Sequence, residues 1–107
     1  MKPLVSVIVP IYNAAPYLQE TLDSILASTY HPIEVVMVDD GSKDNSLSIA
    51  KSYCEQYAEC KVIEQANRGV SAARNSAIRA TKGTYILPVD ADDKIADTFI
   101  QKAVDII

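Results

Sequence analysis

Apolar residues come along this chain in two alternating rhythms. Residues 4–9 are a nearly continuous apolar run rich in valine, interrupted by Ser6 and stopped by Pro10, as in a strand covered on both faces of a parallel sheet. After a loop over 10–15, Leu18, Leu22, Ile25 and Leu26 recur at helical spacing. Pro16 suits the first turn of that helix, behind Asn13 or Ala14, and the pattern predicts a helix to about Ser28. Residues 34–38 make a second buried strand. The turn-rich stretch Asp39-Asp40-Gly41-Ser42-Lys43-Asp44-Asn45 then leads to a helix from Ser46, with Leu47, Ala50, Cys54 and Tyr57 on one face. A short third strand over 61–65 and a turn over 66–69 precede a helix that points Val70, Ala73, Ala77 and Ile78 inward and stops at Gly83. Residues 84–89 form a fourth strand and 90–96 a polar loop. Phe99, Ile100, Ala103, Val104 and Ile107 line a last helix capped by Asp97.

Strand and helix thus alternate four times, which predicts βαβ units: an α/β, doubly wound, mainly parallel sheet with helices on both faces. Each strand delivers a loop to its carboxyl end, the edge where open α/β sheets bind ligands. Those loops hold Pro10-Ile11-Tyr12-Asn13, Asp39-Asp40-Gly41-Ser42, Asn67-Arg68-Gly69 and Asp90-Ala91-Asp92-Asp93, so the polar chemistry gathers on one rim. The last helix is still running at Ile107 with no stop signal. The expectation is that residues 1–107 are the N-terminal piece of a longer protein, and that the uncovered helix face promotes homo-oligomers.

Composition narrows the chemistry. At 49% hydrophobic and 22% charged, the 107 residues suit one globular domain with a core, and disorder is excluded. A net charge of −4 with scattered basic residues leaves no footprint for nucleic acid. The N-terminal apolar run is too short for a signal-peptide core or a membrane span, which predicts a cytosolic chain with no membrane segment. Cys54, Cys60 and the single His31 make no zinc set, and read as two reduced thiols and a histidine. Gly41, Gly69 and Gly83 are too far apart for a dinucleotide fingerprint, a phosphate loop or a serine nucleophile elbow. The chemistry must lie in the carboxylates.

Asp90, Asp92 and Asp93 fall within four residues past a buried strand, a repulsive arrangement that a hard divalent cation such as Mg or Mn would relieve. A solvated acidic loop leading into a helix is the plainer alternative. Asp39-Asp40-Gly41-Ser42 reads equally as a helix-capping turn, although two adjacent acids at a strand end also suit a carboxylate that accepts from a nucleobase N–H or a ribose hydroxyl. Tyr12 could pack or offer its face to a base. Arg68 and Arg74 could meet a diphosphate or pair with nearby acids.

Four segments in order are Val5-Ser6-Val7-Ile8-Val9-Pro10-Ile11-Tyr12-Asn13, Val38-Asp39-Asp40-Gly41-Ser42, Asn67-Arg68-Gly69-Val70-Ser71-Ala72-Ala73-Arg74-Asn75 and Gly83-Thr84-Tyr85-Ile86-Leu87-Pro88-Val89-Asp90-Ala91-Asp92-Asp93. Together they resemble the nucleotide-sugar half of family-2 inverting glycosyltransferases of the GT-A fold. The resemblance spans nearly the whole chain; each motif alone is weak, and Pro88 departs from the bulky apolar residue usual in that strand. It implies a donor site with Pro10 and Tyr12 beside the base, Asp40 bonding uracil, Asp90 nearer the ribose and Asp92 on the divalent ion. Asp93 is the alternative metal ligand, and Arg74 matches a family position without an assigned contact. It implies, further, transfer of a hexosyl or N-acetylhexosaminyl group from a UDP-sugar to a saccharide or lipid-linked acceptor with inversion. The setting would be cell-surface polysaccharide or glycolipid synthesis, in the cytoplasm or at the inner face of the membrane. The general base is expected beyond Ile107, so the 107 residues alone should not transfer sugar.

Two rival classes share the alternation. A signalling receiver domain would need acids after its first strand, where this chain has Pro10 to Asn13. A non-catalytic nucleotide-binding or interaction module would share the fold without the chemistry.

Overall fold

The computed structural model describes residues 2–107, in which eight elements follow one another: β1 (Val5–Ile11), α1 (Ala15–Leu26), β2 (Ile33–Asp40), α2 (Ser46–Gln56), β3 (Cys60–Gln65), α3 (Val70–Arg79), β4 (Tyr85–Pro88) and α4 (Phe99–Ile106). The strands form one parallel sheet in the order β3-β2-β1-β4. From β1 through β3 the chain steps one way, then returns past β1 to lay down β4. Parallel crossovers are right-handed, so that reversal sends α3 to the opposite face from α1 and α2.

Two cores record this winding. On one face Val7 and Val9 of β1 meet Leu18, Leu22 and Ile25 of α1, with Ala50 and Tyr53 of α2 and Ile100 of α4. On the other, Ile8, Val36 and Val38 meet Ala73 and Ala77 of α3. All seven residues of β1 are buried, which is why the strand reads as a continuous apolar run with no alternation. The doubly wound α/β sheet is the architecture the alternation predicts.

Element ends and faces differ from expectation where tertiary contacts intervene. β1 continues through Pro10 and Ile11, where a loop was expected. The Ile8 carbonyl accepts from Val89 N–H at 2.9 Å, so the amides of Ile8 and Pro10 face β4, whose pairing with β1 ends at Pro88. A proline beyond that point forfeits no ladder bond. Pro88 itself faces the open edge of the sheet. β2 likewise runs through Asp39 and Asp40, residues that read as a turn. On α3 the alanines make the contact while Val70 and Ile78 are exposed; on α2 the buried aromatic is Tyr53. In α4 only Ile100 is fully buried, Phe99 and Ile107 are exposed, and Thr98 rather than Asp97 precedes the helix. The helix stop is Ala80. Gly83 instead lets β4 close on β1, since a Cβ there would meet the Ser6 amide at 2.8 Å and the Leu4 carbonyl at 2.9 Å. Among the described residues no helix is long and apolar enough to cross a membrane.

Candidate functional site

The loops after β1 and β2 are laced together at the carboxyl rim. Asn13 N–H donates to Ser42 Oγ at 2.9 Å, Ala14 N–H to Ser46 Oγ at 2.9 Å and Ala15 N–H to Asp44 Oδ2 at 3.1 Å, so side chains from the second loop satisfy the free amides at the start of α1. In return, Lys43 N–H donates to Asn13 Oδ1 at 2.8 Å. Gly41 sits at φ 76°, and a Cβ there would stand 2.9 Å from the Asn67 amide, so glycine lets the second loop touch the third.

Strand alternation throws the two adjacent acids to opposite faces. Asp39 points toward α1 and α2, where its Oδ2 accepts from Ser42 N–H at 3.1 Å and its Oδ1 is buried without a partner. Asp40 points toward α3, only 3% exposed, and its carboxylate gathers three donors: Gln65 Nε2 at 2.9 Å and Arg68 N–H at 2.8 Å on Oδ1, and Gly69 N–H at 2.9 Å on Oδ2. Burial pushes the Asp40 pKa up, but these hydrogen bonds and the Arg68 charge outweigh it and hold the carboxyl below the usual range. The group is therefore a charged, acceptor-only oxygen pair. Gln65, opposite Asp40 in the parallel register, is a contributor the sequence reading passed over; its signal is that cross-strand position.

Asp40 lines a cleft of about 290 Å³ with Pro10, Ile11, Tyr12, Asn67, Gly69, Val70 and Ala73. A second hollow of about 280 Å³ continues past Tyr12 to Ala91 and Asp92. Pro10, Tyr12 and Val70 border both, and Tyr12, 47% exposed, stands between the two ends. Asp40 and Asp92 thus flank β1 on one rim, as the topology requires at the point where strand order reverses.

The acidic loop is anchored by its backbone, and of its three carboxylates only Asp90 has a charged partner among the described residues. Thr21, buried in α1, donates to the Ala91 carbonyl at 2.8 Å; Ile95 N–H donates to Ser24 Oγ at 3.2 Å; Asp93 N–H donates to the Asp90 carbonyl at 3.0 Å. Asp90, Asp92 and Asp93 are exposed, and one oxygen from each lies within 4.8 Å of the others. Opposed ligands of a Mg or Mn ion at about 2.1 Å stand about 4.2 Å apart, so modest side-chain rotation would seat a hard cation among these oxygens. Arg74 pairs with Asp90 at 3.3 Å, the ion-pair alternative for that residue, and its buried Nε has no partner. Arg68 contributes its backbone amide and its charge to Asp40.

The family model described as glycosyl transferase family 2 matches residues 6–107. The chain belongs to glycosyltransferase family 2. This sets the receiver-domain alternative aside. Among its relatives, the uncharacterized glycosyltransferase EpsJ of Bacillus subtilis is 47% identical over 102 residues, covering 95% of this chain and 30% of that protein. The glycosyltransferase GlyG of Streptococcus pneumoniae is 44% identical, covering 94% and 34%. The structure of S. aureus TarS in complex with UDP superposes with a TM-score of 0.87 at 35% identity, over 98% of this chain and 31% of that one. The mannosyltransferase PcManGT of Pyrobaculum calidifontis, in complex with GDP-Man and Mn2+, gives 0.89 at 34% identity, over 97% and 32%. The chain therefore spans about a third of the length of these proteins, and its fold is that of the N-terminal part of the GT-A domain.

Proposed function

We propose that the chain forms the donor side of a metal-assisted sugar transfer from a UDP-sugar to an acceptor hydroxyl, with inversion. The observation that carries this reading is the pairing, on one rim and on either side of β1, of a buried acceptor-only carboxylate and an exposed triple-carboxylate loop, with Tyr12 between them. In this reading Asp40 accepts the base N–H, while Pro10 and Tyr12 flank the base in the first cleft. Asp90 lies toward the ribose, with Arg74 beside it, and Asp92 holds Mn or Mg, Asp93 being the alternative ligand. When bound, such an ion neutralises the charge that develops on the diphosphate as the sugar C1–O bond breaks. Support comes from the similar structures solved with UDP, with UDP-GlcNAc, and with GDP-Man and Mn2+.

Because the chain spans about a third of its relatives, the complete reaction is proposed for a whole protein. There the acceptor, a saccharide or a lipid-linked one in cell-surface glycan synthesis at the cytoplasmic side of a membrane, would attack C1 from the face opposite the diphosphate. Its proton would pass to a base that residues 1–107 do not supply, and the 107 residues would bind donor without transferring it. Loss of a positioned base costs about 10²–10⁴-fold in rate.

Calorimetry with UDP and MnCl2 tests the donor side. Asp92→Asn is expected to abolish the gain in affinity that Mn confers and to spare metal-free binding; Asp40→Asn is expected to weaken both. Metal dependence that survived Asp92→Asn and vanished in Asp93→Asn would move the ligand to Asp93. Binding of UDP unaffected by Mn and by all three substitutions would leave the non-catalytic module as the better reading.

A further inference from the structure

We infer that Gln65 sets the base preference of the site by occupying an acceptor position of Asp40, leaving the carboxylate able to take one N–H from a base and not two. This rests on the reading of Asp40 as the base-contacting group. An ionised carboxylate offers about four acceptor positions. Gln65 Nε2 and Arg68 N–H fill both on Oδ1, and Gly69 N–H fills one on Oδ2, so one position is left. Uracil presents a single ring N–H between two carbonyls and is served by that one position. Guanine presents a ring N–H and an amino N–H side by side, a pair that asks for both carboxylate oxygens. Cytosine and adenine put a ring acceptor at the corresponding edge, which an acceptor-only carboxylate repels.

Of the three donors two are backbone amides, which any residue but proline would supply, so among side chains the count of free positions depends on Gln65. Its amide has a fixed sense. Asp40 cannot donate, so the NH2 end must face it, and Oε1 turns to Ser76, whose hydroxyl donates to it at 2.7 Å. Gln65 and Asp40 stand opposite each other in the β2–β3 register, which keeps the two side chains within reach, and Ser76 holds the Gln65 amide in place. Gln65 is thus a positioning residue that acts through Asp40. Similar folds have been solved with UDP in one case and GDP-Man in another, so the choice between these two bases is a real one on this scaffold.

The test is calorimetry of UDP and GDP, each with MnCl2, on the chain and on Gln65→Leu, Ser76→Ala and Asp40→Asn, with circular dichroism to check folding. The unsubstituted chain is expected to prefer UDP. Gln65→Leu frees a position on Oδ1, and the UDP-to-GDP affinity ratio should fall about tenfold, the scale of one bidentate contact. Ser76→Ala, which keeps Gln65 but releases its amide, should move the ratio the same way by less; it carries the test if Gln65→Leu fails to fold. A merely structural role would weaken UDP and GDP in proportion, and an unchanged ratio in the folded variants overturns the inference. If Asp40→Asn left both affinities intact, the failure would belong to the base-contact reading itself.

Discussion

Asp40 shows how a single carboxylate can be buried and still charged. Its two backbone donors and the Gln65 amide replace the water it gave up, and hydrogen bonds to a charged group contribute about 1.5–3 kcal/mol. Asp40→Asn puts an NH2 where an acceptor is needed, and should destabilise the chain by about that amount at pH 7. Since the folded-state pKa lies below the ordinary 3.8, the stabilisation is present in full above the unfolded value and is lost as pH falls through the depressed one. Urea melts should therefore show the gap between the two proteins narrowing in acid. A gap independent of pH would mean that the charge contributes nothing. Cys60 is the opposite case. Burial, with Cys54 and Glu59 nearby, pushes its thiol up to about 12, and burial alone raises Cys54. Both should be slow toward a thiol reagent at neutral pH in the folded chain, Cys60 the slower, and fast in urea.

At the scale of elements, the sheet depends on contacts that no single element contains. No side chain of its own caps α1, which borrows Ser46 and Asp44 from the start of α2. Ser46→Ala is expected to cost about 1–2 kcal/mol and to speed amide exchange at Ala14. Unchanged exchange there would show that water caps α1 equally well. Gly83→Ala is a sharper probe, because the added methyl meets the Ser6 amide and the Leu4 carbonyl as well as the Ser6 hydroxyl, and a side-chain rotation relieves only the last of these. A destabilisation of about 1–3 kcal/mol is expected, with loss of protection concentrated in β4. The periodicity of α3 shows the limit of pattern reading: Val70 and Ile78 fit a helical stripe, yet only the small Ala73 and Ala77 lie against the sheet. Close approach of a helix to strands Ile8 and Val38 favours the small residues, and Val70 is left at the mouth of both clefts.

For the molecule as a whole, the proposed donor site spans β1, with its base end at Asp40 and its ion end at Asp92. If nucleotide and ion meet through the diphosphate, UDP with MnCl2 should raise the melting temperature by more than the sum of the two alone. At a ligand concentration 100 times Kd, linkage adds about 2.7 kcal/mol, on the order of 10 °C for a domain of this size. Additive shifts would indicate independent binding and count against a shared donor. Ile86 on the edge strand β4 and Phe99 and Ile106 of α4 are among the apolar side chains exposed to solvent.

The sequence by itself determined the order and type of the elements, the parallel doubly wound sheet and the rim on which its polar residues collect, because these follow from periodicity and from the right-handedness of crossovers. It also carried the family, through four motifs in order. Only the tertiary structure decided how far the strands run and what each polar residue touches. Pro10 and Asp39-Asp40 look like loop until a neighbouring strand is present, or ends, beside them. Arg74 has two readings until Asp90 is placed across from it. Gln65 looks ordinary until the register sets it against Asp40. Hydrogen-bond partners and burial depend on residues well separated along the chain, 25 positions for Gln65 and Asp40 and 16 for Arg74 and Asp90, and no local pattern encodes those distances.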